Sequence, residues 1–76
     1  MRELVELMVR ALVDSPDDVQ INEVAGESIV VYEISVREDD LGKVIGKGGR
    51  TANAMRTIIK AAGTKLDKKA TVEILS

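Results

Sequence analysis

Lys43, Lys47 and Arg50 crowd around Gly46-Lys47-Gly48-Gly49, inside the stretch Leu41 to Thr51. Three glycines in four positions let the backbone turn sharply and let another molecule approach with no Cβ in the way. A helical pattern leads out of the loop, so unpartnered N–H groups and the positive end of a helix dipole come to the same place as the cations. The chemistry this favours is the holding of a phosphate. Two nucleotide motifs fail on spacing. A P-loop needs four residues between its first glycine and its Gly-Lys, then Ser or Thr for magnesium. Only three residues separate Gly42 from Gly46, and Gly48 follows Lys47. A dinucleotide fingerprint begun at Gly46 would need glycine or alanine at Thr51 and a βαβ unit of roughly 30 residues.

Reaction chemistry has no comparable footing. The chain has no histidine and no cysteine, which excludes disulfides and a zinc site of ordinary type. Glu38, Asp39 and Asp40 form an acid cluster, but no nucleophile or base stands in an evident motif beside it. Asp39 or Asp40 reads better as the N-cap of a short helix. No enzyme activity, cofactor or metal is expected.

The elements that must position the loop follow from periodicity. Met1 to Val13 reads as a helix with Leu4, Leu7, Met8, Ala11 and Ser15 on one face and Val5, Val9 and Leu12 alongside. Pro16 ends it near Val13 or Asp14. Asp17 and Asp18 open an extended region, Val19 and Ile21 alternate as in a half-buried strand, and Ala25 to Ser28 is a turn. Ile29 to Val36 is the second arm of a hairpin, with Val30, Tyr32, Ile34 and Val36 on its apolar face. Tyr32, the only aromatic residue, is either core or a base-stacking ring. Leu41 to Ile45 is a short helix. From Thr51, the spacing Ala52, Met55, Ile58, Ile59, Ala62, Leu66 is helical again, with Gly63 expected to end or loosen it. Thr64 to Lys69 is a loop, and Ala70, Val72 and Ile74 alternate in a last strand. The order is α-β-β-α-α-β.

Charge is divided along this order. Net charge is −2 over 76 residues. Residues 1–40 set Arg2, Arg10 and Arg37 against eleven acids, whereas residues 41–66 carry Lys43, Lys47, Arg50, Arg56, Lys60 and Lys65 with no acid. A basic segment built on the glycine loop of an otherwise acidic chain is the footprint of a polyanion site. Arg56 and Lys60, like charges at i, i+4, repel one another unless an anion lies between them. The composition, 45% apolar and 32% charged, is that of a folded chain near the size where one core only just suffices, so dimerisation is the natural source of extra stability. No apolar run is long enough to cross a bilayer and no signal-peptide pattern opens the chain, which makes the cytoplasm the default expectation.

Gly46-Lys47-Gly48-Gly49 between two helices, preceded by Val44-Ile45 and set in this order of elements, resembles the KH domain in its type II arrangement, as in small bacterial single-KH proteins. The resemblance implies an α+β fold. One KH domain would span 1–76, with a βααβ core over about 29–75 and an added helix and strand over 2–24. A three-stranded mixed sheet would carry the helices on one face. The last strand should run parallel to Ile29–Val36, because parallel neighbours need a crossover and the helix pair supplies it.

It also implies an activity: single-stranded RNA, or single-stranded DNA, held across the GXXG loop, which in this family clamps about four nucleotides. Lys43, Val44, Ile45, Gly46, Lys47, Gly48, Gly49 and Arg50 are the expected contacts, with amides near Gly48 and Gly49 on phosphate oxygens. One of Val44 and Ile45 should line the base groove and the other pack inward. Ile34, Val36, Arg56 and Lys60 are further contact candidates. The family's large aliphatic three residues after the last loop glycine is Ala52 here, which implies a smaller junction between the two helices and a shallower groove. Proteins of this kind act as small post-transcriptional regulators or RNA chaperones and pair with themselves and with a larger KH-containing protein. Ile58, Ile59, Ala62 and Leu66 are the candidate dimer face. The alternative is an adaptor that keeps the fold for pairing, with nucleic-acid contact incidental.

Overall fold

A computed structural model of the chain describes residues 1–76. Its elements are α1 (Arg2–Leu12), β1 (Gln20–Ala25), β2 (Ile29–Ser35), α2 (Leu41–Ile45), α3 (Arg50–Lys65) and β3 (Lys69–Ile74), with single 3₁₀ turns at Pro16–Asp18, Glu38–Asp40 and Lys47–Gly49. The expected order is therefore observed. So is the topology: β2 is central, antiparallel to β1 and parallel to β3. The α2–α3 pair makes the crossover that parallel pairing requires.

Alternation along the strands decides which face is covered. Ile21, Ile34 and Ile74 share one row, and Tyr32 pairs with Val72 in the next. These side chains meet Val5 and Val9 of α1, Val44 of α2, and Met55 and Ile59 of α3 in one apolar cluster. Tyr32 is thus core. The opposite face carries Asn22, Glu33 and Glu73 across the three strands and stays open to solvent.

Three local expectations need correction. In α1 the buried stripe is Val5 and Val9, while Leu7 is 68% exposed and Ala11 is also exposed. The helix is covered on one side only, so the second apolar flank has nothing to bury against. Asp17 and Asp18 do not open a strand; they complete a 3₁₀ turn after Pro16, whose fixed φ suits the first position of such a turn. Gly63 does not end α3. The helix runs on to Lys65, and Gly63 is buried where the chain returns into β3.

Candidate nucleic-acid interface

The loop conformation is set by glycine at three positions. Gly46 has φ 76° and ψ 170°, Gly48 φ 63° and ψ 20°, and Gly49 φ 79° and ψ 10°. These lie in regions that side chains other than glycine's rarely occupy. Gly46 caps α2, its amide donating to the Gly42 carbonyl at 2.9 Å, and the Gly49 amide donates to the Gly46 carbonyl at 3.1 Å. The amides of Lys47 and Gly48 have no backbone acceptor. The donors left open to a ligand are therefore those of Lys47 and Gly48, one residue earlier than expected. At Gly48 an added Cβ would meet nothing within 4 Å, so the tip of the loop is bare backbone open to approach.

The cations around the loop are not equivalent. Lys47 and Arg50 are exposed and have neither ion pair nor hydrogen-bond partner. Lys43 is held elsewhere: its ammonium donates to the Asp14 carboxylate and lies 3.4 Å from Asp40 Oδ1. The hydrogen bond from Lys43 to Asp14, with Asp40 adding to it, raises the ammonium above its ordinary value against the opposing effect of burial. Of the three cations expected at the loop, Lys43 is thus largely neutralised by its own fold.

Asp40 is also not the cap that the sequence suggests. It sits at the N-cap position of α2 but makes no side-chain cap bond there. Its carboxylate is 1% exposed and accepts from the amides of Asp14, at 3.2 Å, and Ser15, at 3.0 Å. Asp40 therefore ties the end of α1 to the start of α2, and through α2 it fixes the height of the glycine loop. Burial alone would raise its pKa, but the two amides and Lys43 outweigh burial and hold the carboxyl below the usual range. A depressed folded-state pKa gives stability that is fully present above the unfolded value, about 3.9, and lost as pH falls through the folded value. Asp40→Asn should therefore be less stable than the parent at pH 7, with the gap closing below about pH 4. Urea midpoints compared across that range test this. A gap that stays constant down to pH 3 would mean that Asp40 contributes shape and not charge.

Beside the loop the apolar residues separate. Val44 and Ile34 are fully buried, each with 0% exposure, so both pack the core and neither can touch a base. Ile45 and Val36 remain half-buried at the surface. Of the four apolar residues expected beside the loop, only Ile45 and Val36 therefore reach the surface. Ala52 is 4% exposed under the α2–α3 junction. Arg56 is partly committed, its Nε donating to the Val72 carbonyl at 3.2 Å and its Nη1 to Asn53 Oδ1 at 2.9 Å.

Lys60 is exposed and stands on a stripe that sequence reading did not assemble. Arg50, Asn53, Thr57, Lys60 and Thr64 recur at alternating steps of three and four, which is one face of a helix. That face runs from the loop to a groove between α3 and β3 lined by Arg56, Lys60, Lys68 and Lys69. The signal lies in the spacing of the polar residues, which the apolar periodicity of α3 does not reveal.

The candidate dimer face is smaller than expected. Ile59 is fully buried and cannot contribute, whereas Ile58 and Leu66 are 47% and 58% exposed. With half-buried Ala62 they follow at i, i+4, i+8 along a flank of α3 and onto its C-cap, Leu66, away from the polar stripe. No helix is long and apolar enough to cross a membrane.

Comparison with known proteins agrees with this architecture. The family model for the KH domain of KhpA and KhpB matches residues 2–74. The chain is 53% identical over 75 residues to the RNA-binding protein KhpA of Clostridium perfringens, covering 99% of this chain and 100% of that protein. Identity is 51% to the RNA-binding protein KhpA of Clostridium acetobutylicum, over 99% of this chain and 100% of that protein. It is 48% to the protein of the same name from Aquifex aeolicus, over 99% and 95% respectively. No solved structure matches the chain.

Proposed function

This chain belongs to the KhpA/KhpB family of KH-domain proteins, and on that premise we propose that it binds single-stranded RNA across the Lys47–Gly49 turn, as a small post-transcriptional regulator or RNA chaperone. The observation that carries this reading is the loop tip itself. Two amides without acceptors, two cations without partners and a Gly48 open to solvent converge there. Nothing in the fold uses these groups, and a phosphodiester would use all of them. Ile45 offers a base only a small apolar surface, and the one aromatic ring is buried, so affinity from stacking is small and the phosphate share is large. Single-stranded DNA offers the same phosphates, and only a contact to the 2′-OH separates the two. The role is one of binding, without catalysis, and a cytoplasmic site of action suits it.

Fluorescence anisotropy with a short single-stranded RNA, for the parent and a Lys47→Asp, Gly48→Asp double variant, tests the reading. Circular dichroism confirms that both are folded. At least a tenfold loss of affinity is expected, together with a salt dependence shallower by about 0.7 for each phosphate contact removed. Equal binding by a folded variant would overturn the assignment of the loop.

Pairing is the second reading, favoured by exposed Ile58 and Leu66. A second copy, or a KhpB-like KH protein, would cover this flank and leave the polar stripe free, so pairing and RNA binding do not compete. Two linked loops would also raise the effective concentration of each for one RNA. Light scattering should give a dimer mass for the parent and a lower one for Ile58→Lys. A parent that stays monomeric at tens of micromolar removes this reading.

A further inference from the structure

Building on the loop assignment, we infer that the groove between the C-terminal half of α3 and the start of β3 is a second phosphate-backbone site, which takes up the RNA strand beyond the nucleotides clamped at the loop. The groove has a volume of about 590 Å³ and is lined by Arg56, Lys60, Lys68 and Lys69 with no carboxylate among its residues. Lys60, Lys68 and Lys69 are exposed, and none of them has an ion pair. Four cations gathered without a counter-charge, on a chain whose net charge is −2, repel one another unless an anion neutralises them. Lys68 and Lys69 also border the adjoining hollow that holds Asp67 and Glu27, yet neither pairs with them, and no carboxylate lines the groove itself.

The groove is also reached by a continuous path. Arg50, at the loop, and Lys60, in the groove, lie ten residues apart on the same face of α3, about 15 Å at the helical rise. Asn53 and Thr57 fill the interval. The Thr57 and Thr64 hydroxyls donate to the carbonyls of Asn53 and Lys60, each at 3.0 Å. They therefore offer the groove acceptor oxygens and methyl groups, and contact with anionic oxygen falls to the lysines and Arg56. An uncharged, hydrogen-bonding track between two cationic stations, with the Asn53 amide nitrogen and the Thr57 hydroxyl oxygen free, suits a strand whose phosphates are held at both ends and whose sugars cross the middle. A free anion would need only one station and would leave the track unused.

Two probes separate this site from the loop: an RNA of about four nucleotides, the length that the loop alone clamps, and one of about ten. The parent should bind the longer probe more tightly than the shorter. Lys68→Glu, Lys69→Glu, at two exposed positions, should leave affinity for the short probe unchanged. It should weaken the long probe roughly tenfold at about 0.1 M salt, with a salt dependence shallower by about 1.4. If this variant binds the long probe as the parent does, while the Lys47→Asp, Gly48→Asp variant does not, the inference fails and the loop reading stands. If the parent binds neither probe, both fail. Replacing chloride by inorganic phosphate at constant ionic strength should leave the difference between probes intact. Its selective loss would make the groove a free-phosphate site and overturn the inference.

Discussion

Gly46→Ala should destabilise the domain far more than Gly48→Ala, although the two glycines stand in the same motif and both have positive φ. A Cβ on Gly46 would fall on the Thr51 hydroxyl and lie 2.7 Å from Thr51 Cβ and 2.8 Å from its amide nitrogen. The backbone at φ 76°, ψ 170° is a region that is essentially glycine's alone, costing other residues about 1–3 kcal/mol. Overpacking adds about 1–3 kcal/mol more. A total of about 2–6 kcal/mol corresponds to a fall in Tm of roughly 10 °C or more for a chain of this size, and a domain this small holds little stability in reserve. At Gly48 the added methyl meets nothing within 4 Å, so only the left-handed backbone resists it, at about 1–2 kcal/mol. Thermal melts of the two variants decide the matter, and equal shifts would mean that the loop relaxes as a unit. Thr51→Ala in the Gly46→Ala background should recover only part of the loss, since the Cβ and amide contacts persist without the hydroxyl.

This contrast divides the motif by role. Gly46 is needed so that α2 can end against the first turn of α3, whereas nothing in the fold crowds Gly48, whose bare backbone serves the proposed approach of RNA. Both demands produce the same letter in the sequence, and only the surroundings tell them apart.

The same limit explains what the sequence did and did not disclose elsewhere. Element order, strand pairing and the position of the loop were all legible, because each rests on local periodicity, on turn residues and on the crossover that parallel strands require. Orientation within a correctly placed element was less so. Ile58 and Ile59 are adjacent in a helical pattern that admits either, and the packing of α3 on the sheet chose Ile59. Asp40 has the residue type and position of a cap, yet the chain end of α1 brings two amides to it from 25 and 26 residues away. Lys43 looked like a free cation of the loop until that same junction placed Asp14 beside it. In each case the deciding partner was distant in sequence.

Gly63 shows the effect most sharply. Read locally, Gly63→Ala in a helix should stabilise by about 0.8–1.0 kcal/mol. In the fold, the new Cβ would lie 2.7 Å from the Lys68 carbonyl oxygen and 3.2 Å from Ala70 Cβ. That carbonyl cannot retreat easily, because the Lys68 amide donates back to the Gly63 carbonyl at 2.8 Å and Asp67 turns the chain there with φ 57°. Overpacking at about 1–3 kcal/mol exceeds the propensity gain, so Gly63→Ala should be destabilising. Gly63→Leu, which drives a full side chain between α3 and β3, should cost about 3 kcal/mol or more and be close to unfolding the domain. Urea titration of the two variants against the parent checks the sign first: a stabilised Gly63→Ala would show that β3 can shift outward without loss. Lys68 and Lys69 stand where that displacement would occur, on the strand side of the distal groove, whereas Lys47 and Gly48 lie at the other end of α3. A folded Gly63→Ala should therefore lose part of the extra affinity for the longer RNA and keep its affinity for the shorter one, because the residue that lets α3 and β3 approach also sets the spacing between Lys60 and the two lysines across from it.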